Sequence, residues 1–173
     1  MEVNEEVLYT LDSITKINKG DLEFLKAKAA SNHRKRIRLC VHPDVEDGLH
    51  EMLIIHTKGN YVRPHKHTNK SESFHIIEGE LKVIIFDEKG TVLEILKMGS
   101  FRTEKTFFFR ISENHYHTII ITSDCAVIHE TTNGPFKKEE TIFAPWAPEE
   151  DDYDSQGKFF NKLATIDERI DDL

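Results

Sequence analysis

The chain has 173 residues, of which 38% are hydrophobic and 31% charged, with a net charge of −8. That suits one domain with a sizeable core and excludes an intrinsically disordered chain. The negative balance argues against nucleic acid as a partner, and no apolar run approaches the roughly 18 residues of a membrane span. Much of the negative charge follows residue 138 and does not describe the body of the domain. The first ten residues, MEVNEEVLYT, lack the basic-then-apolar layout of a signal peptide. With Cys40 and Cys125 as the only cysteines, this predicts free thiols in a reducing cytoplasm.

In chain order, residues 1–18 are a weakly patterned lead-in. Gly20 and Asp21 predict a helix start, and Leu22, Leu25 and Ala29 share one face of a helix to Ser31. The basic stretch SNHRKRIR, residues 31–38, reads as a solvated surface or as an anion-binding rim. In the β-like segment Ile37 to Val41 and just beyond, Arg38, Cys40 and His42 alternate onto one face. Cys40 suits packing, and His42 lies nearer any pocket.

From there short strands alternate with turn signals, the all-β pattern. They are Glu51 to Thr57, Tyr61 to His67, Phe74 to Glu78, a hairpin of Leu81 to Asp87 with Thr91 to Lys97, then Thr106 to Ile111, His115 to Thr122 and Cys125 to Thr131. In the aromatic run, Phe108 should face opposite to Phe107 and Phe109. Proline-flanked Trp146 predicts an extended strap, with substrate stacking as the alternative. Glu149 to Asp154 reads as a solvated acidic run. Phe159, Leu163, Ile166 and Ile170 recur at helical spacing, which predicts a terminal amphipathic helix near 158–170.

The most informative stretch is GNYVRPHKHTNKSESFHIIEG, from Gly59 to Gly79. On a strand His65 and His67 project to the same face, about 7 Å apart. Glu72 follows after a short turn and can return a carboxylate to the same spot. Two imidazoles and a carboxylate converging this way outline a first-row transition-metal site. A solvated His-rich loop is the bland alternative. The spacing G-x5-H-x-H-x4-E-x6-G resembles the first sequence motif of the cupin superfamily without a gap.

That resemblance also implies a second motif, usually P-x-G-x-x-H, which SENHYHT at 112–118 matches if His117 takes the histidine place. Ser112 then stands for proline and Asn114 for glycine, a mild departure because Asn tolerates a left-handed backbone. His115 competes, since it shares a strand face with His117. The implied metal ligands are His65, His67, Glu72 and His117, leaving one or two coordination positions open. The ion is a divalent transition metal: zinc, iron, manganese or nickel.

A narrower resemblance rests on RIRLCVH (36–42), YVRPHKH (61–67), KSESFH (70–75), FDEKG (86–90), His129-Glu130, NGPF (133–136) and APWAPE (144–149). Together these look like the WbuC family of cupin-fold metalloproteins, encoded in bacterial surface-polysaccharide (O-antigen) gene clusters. Over roughly residues 20–150 the resemblance implies a mainly β, single jelly-roll-type cupin barrel with short N-terminal and C-terminal helices. The expected parts are a lead-in and helix at 1–35, the barrel at 36–148 and an acidic tail with a helix at 149–173.

The implied function is metal-assisted isomerisation, epimerisation or related chemistry on a sugar or nucleotide-sugar derivative. A metal-dependent dioxygenase and a non-catalytic metal-containing sugar-binding module are the alternatives. Expected catalytic residues are His75 and Glu130; Arg38, Arg63, Lys70 and His115 are expected at the substrate. A homodimer is expected because sheet edges need cover and apolar residues remain outside the motifs.

Overall fold

Two facing, mainly antiparallel sheets enclose the core of this computed structural model, which describes residues 2–10, 12–112, 114–164 and 166. The strands are β1 (Glu2–Asn4), β2 (Val7–Tyr9), β3 (Arg36–Cys40), β4 (Leu49–Thr57), β5 (His65–His67), β6 (Glu72–Glu78), β7 (Glu80–Phe86), β8 (Val92–Gly99), β9 (Phe108–Ile111), β10 (Tyr116–Ile121), β11 (Cys125–Asn133) and β12 (Thr141–Phe143). One sheet runs β1-β2-β3-β4-β11-β6-β9 and the other β12-β5-β10-β7-β8. Two helices, α1 (Lys19–Ser31) and α2 (Tyr153–Ala164), complete the fold.

The period-2 alternation assigns every strand face. Phe74, Ile76, Val83, Ile85, Ile119 and Ile128 point between the sheets and form the main core. Ile37, Ile55 and Val127 point out of the larger sheet, where Leu25 and Ala29 of α1 cover them. Ile84, Phe86, Tyr116 and Ile120 point out of the smaller sheet, and Leu163 of α2 covers them with Phe159, Phe160 and Trp146. Both helices are therefore outer layers, which is why each needs only one apolar stripe.

Helix α1 begins earlier than its composition predicts. Asn18 is the N-cap: its Oδ1 accepts from the Gly20 amide at 2.7 Å, and its own amide donates to Asp21 Oδ2 at 2.8 Å. This reciprocal capping box makes Asp21 the third helical residue rather than the start. Helix α2 begins at Tyr153, before its predicted start, and residues 165 and 167–170 of the predicted span lie outside the described residues. Phe159, Leu163 and Ile166 pack inward as predicted, and Ile170 lies outside the described residues.

The lead-in is not a detached arm. β2 pairs in parallel with β3, Val7 opposite Arg38, and extends the larger sheet beyond the smaller one. The short β12 pairs with β5 and anchors the strap at 144–148. Three-residue strands carry too little alternation to be read from sequence. Trp146 packs at 5.0 Å from Phe86 and 5.8 Å from Tyr116, so its ring belongs to the outer core rather than to a ligand. The acidic run is only partly solvated: Glu149 forms a bidentate pair with Arg63, and Glu150 pairs with Arg34. Phe109 packs on Phe74 in the core, whereas Phe107 and Phe108 both remain exposed. Phe107 precedes β9, escapes its alternation and rests against Phe101 and His75.

Candidate metal centre

His65 and His67 leave β5 on one face because they are two residues apart. β5 is short, but it is gripped on both sides. His65 lies opposite Phe143 of β12 and opposite His117 of β10; His67 lies opposite Thr141. Directly opposed residues share a face, so β10 brings His117 to the pair. A turn with Asn69 in the left-handed region (φ 60°) then carries the chain to the opposite sheet. There Glu72 opens β6 and points inward with Phe74 and Ile76. One ligand atom from each of His65, His67, Glu72 and His117 lies within 4.8 Å of the others.

The outer ring nitrogens fix which nitrogens are available. His65 Nδ1–H donates to the Arg63 carbonyl at 2.9 Å, and His117 Nδ1–H donates to the His115 carbonyl at 3.2 Å. His67 Nδ1 meets Thr141 Oγ1 at 3.2 Å. Each Nε2 is left as a lone-pair donor toward the centre, the arrangement that orients imidazole ligands. His117 Nε2 sits 3.1 Å and His67 Nε2 3.6 Å from the same oxygen, Glu72 Oε2. Acceptors aimed at acceptors require a cation or a proton between them, so this donor set fits a divalent metal.

Burial sets the charge state. It lowers His65 to about 4, with His117 adding to the effect, and lowers His67 to about 3, with His65 and His117 adding. Burial also lowers His117. The three rings are neutral near pH 7, as ligands must be. Burial raises Glu72, against the pull of nearby positive groups including Arg38 and Lys70. Glu130, inward on β11 beside Glu72, is raised first by burial and then by the Glu72 carboxylate.

The remaining expected site residues separate. Arg38 points inward from β3, and its charge reaches both Glu72 and Glu130. Lys70 is buried, 3.6 Å from Glu140, and its charge reaches His67. His115 contributes its carbonyl to His117. Arg63 turns away to Glu149 and stacks 4.9 Å over Phe143, so it does not join the cluster by its side chain. His75 is exposed on the outward face of β6, because residue 75 is an odd number of steps from Glu72. It lies beside Phe107, not beside the ligands. Sequence reasoning missed Thr141, which sits in a three-residue strand with no pattern.

Residues 17–98 match the model of a domain of unknown function (DUF6016). No curated protein matches the chain. Among solved structures, a recombinant oxalate oxidase in complex with glycolate is 16% identical with a TM-score of 0.51, covering 67% of this chain and 58% of that one. The Schizosaccharomyces pombe Cnp3 cupin domain is 15% identical with a TM-score of 0.44, covering 57% and 64%. Oxalate decarboxylase from Bacillus subtilis is 21% identical with a TM-score of 0.46, covering 57% and 24%. The chain thus spans less than two thirds of each of these structures, and at such identities the likeness concerns the fold alone. Among the described residues no helix is long and apolar enough to cross a membrane. Two facing sheets, a His/His/Glu/His cluster between them and the likeness to the oxalate oxidase together identify the architecture as a cupin fold with a candidate metal centre.

Proposed function

We propose that the chain is a cytoplasmic metal-dependent enzyme, working as a homodimer, that moves a proton on a small sugar-type metabolite of surface-polysaccharide synthesis. The observation that carries the catalytic part is Glu130 beside Glu72: a buried carboxyl, raised by burial and its neighbour, next to the ligand cluster. The sugar-type substrate rests on the WbuC-like segments, chiefly YVRPHKH and KSESFH. A divalent metal held by His65, His67, Glu72 and His117 would supply Lewis-acid polarisation of a carbonyl.

The chain's own residues do the rest. Near neutral pH Glu130 has both its acid and its carboxylate form available; as carboxylate it takes the proton from the substrate carbon, and as acid it returns that proton to the neighbouring carbon or oxygen. Arg38 and Lys70 supply positive charge that orients an anionic group and steadies developing negative charge. The apolar wall of Phe74, Ile85 and Ile119 keeps bulk water from the inner side of the cluster.

The test starts with metal analysis of protein purified without added metal, expected to give about one divalent ion per chain. Sugars, sugar phosphates and nucleotide sugars are then incubated in D2O and read by proton NMR. A metal-dependent loss of one carbon-bound proton signal is expected, abolished in Glu130→Gln with metal retained. Absence of metal, or exchange untouched by Glu130→Gln, overturns the reading.

A further inference from the structure

The larger sheet extends past the smaller one at β1, β2 and β3, so the inward face of β3 is not fully roofed. Three arginines stand there. Arg36 and Arg38 lie two apart on β3, and Arg34 precedes them in the turn, separated from Arg36 by Lys35 in the left-handed region (φ 54°). Ile37 points the other way into the α1 layer, which fixes Arg36 and Arg38 on the inward side. A cleft of about 540 Å³ is lined by these three side chains with Glu5 and Glu6.

Two of its arginines act electrostatically on the ligand cluster and its neighbour Glu130. The charge of Arg36 reaches His65, and that of Arg38 reaches Glu72 and Glu130. Arg38 on β3 is two strand spacings from β11, the strand of Glu130, or about 10 Å. A ligand held on the arginines therefore has its other end within reach of the metal centre.

Carboxylates already stand against these arginines. One carboxylate, Glu6, is shared: Oε2 lies 2.7 Å from Arg36 Nε and Oε1 3.5 Å from Arg34 Nε. Arg34 also pairs with Glu150 at its outer edge. Arg36 is four-fifths buried in its side chain, and burial first, with the neighbouring Arg34 and Arg38, lowers it against the support of Glu6. Three guanidiniums brought together on one cleft repel one another, and an anion that spans them relieves that cost.

We infer that the Arg34–Arg36–Arg38 ladder is a binding site for a diphosphate-type polyanion, the charged handle of the substrate whose other end reaches the metal centre. Guanidinium forks match phosphate oxygens bidentately, and Arg36 and Arg38, about 7 Å apart along β3, serve successive charged groups. Glu6 occupies Arg34 and Arg36 in competition with that anion. The inference deepens the proposed function and rests on it only for the role of the metal; the anion site itself stands apart from the four ligands.

The test is calorimetric titration with inorganic pyrophosphate. It is run on the wild-type protein and on His65→Ala/His67→Ala, which removes chelation by the centre. Binding is expected in both. Arg36→Gln and, separately, Arg38→Gln should each weaken it roughly tenfold or more, with thermal unfolding measured alongside to show that each variant is folded. Glu6→Gln should tighten binding, because it frees two guanidiniums; a purely structural Arg36–Glu6 pair would not produce that gain. Binding lost in His65→Ala/His67→Ala, or unchanged in Arg38→Gln, overturns the inference. Pyrophosphate binding by a wild-type protein that holds no metal would support the ladder while defeating the metal reading.

Discussion

His117 and Glu72 meet with Nε2 3.1 Å from Oε2, although they are 45 residues apart and stand on opposite sheets. Neither can turn away. His117 is held from behind by the His115 carbonyl, and Glu72 is fixed at the first position of β6. The contact joins the two sheets through polar atoms that need a cation or a proton between them.

The first prediction concerns metal content. His65→Ala/His67→Ala removes two of three imidazoles, leaving a donor set below that of a stable divalent site. Mass-spectrometric metal analysis should fall from about one ion per chain to under about 0.1. The circular dichroism spectrum should stay β-type, because the main core lies elsewhere on the sheets. Full occupancy in the double variant would show that these four residues are not the ligands. Loss on changing His115 but not His117 would move the fourth ligand.

Thr141 should matter without touching the metal. Its hydroxyl meets His67 Nδ1, and Thr141→Val keeps the shape while deleting that contact. Metal affinity should drop about tenfold, as for other outer partners of imidazole ligands. Competition with a fluorescent chelator would measure this, and an unchanged affinity would mean that His67 is oriented by the backbone alone.

Gly79 closes the motif in the left-handed region (φ 82°), and a Cβ there would lie 2.1 Å from the Cys125 carbonyl oxygen and 2.9 Å from Ala126 Cα. Backbone on β11 cannot yield as a flexible side chain would. Gly79→Ala should cost more than about 2 kcal/mol in urea unfolding, or prevent folding. A loss under about 0.5 kcal/mol would mean that the β6–β7 corner opens freely.

His56 adds to a pH dependence that the ligand histidines, also lowered by burial, share. It is buried, its Nδ1–H donates to Asn60 Oδ1 at 2.8 Å, and burial with nearby Arg36 lowers it to about 3. Its folded value lies below the unfolded value, so its contribution is intact above about pH 6.5 and is lost as pH falls toward 3. The loss is at most about 1.4 kcal/mol per pH unit within that window. Urea midpoints of metal-free protein should therefore fall from pH 7 to pH 5, and His56→Gln should flatten that slope. An equal slope in the variant would assign the dependence to other groups.

For the proposed homodimer, the structure narrows the surface. Leu25, Phe159 and Leu163, apolar residues outside the motifs, are used within the chain to cover the sheets. Among the exposed apolar residues, Phe101, Phe107 and Phe108 cluster beside the edge strand β9, whereas others such as Ile14, Phe24 and Leu93 stand elsewhere. Light scattering should give twice the 20.1 kDa chain mass, and Phe108→Glu should halve it. A wild-type monomer at high concentration would defeat the dimer.

The sequence by itself determined the features that local periodicity carries. His65 and His67 share a face because they are two apart. The strand–turn succession made the fold mainly β, and Leu22, Leu25 and Ala29 marked α1. The tertiary structure decided what depends on which face is inside and on what arrives from elsewhere. His75 is turned out by the parity of β6. His117 rather than His115 stands opposite His65 because of the β5–β10 register. Arg63 is taken by Glu149, 86 residues on, and the lead-in becomes strands only because β3 offers an edge. Spacing along the chain fixes relative direction, whereas inside and outside, and the partner that meets each side chain, are set only when the sheets close on each other.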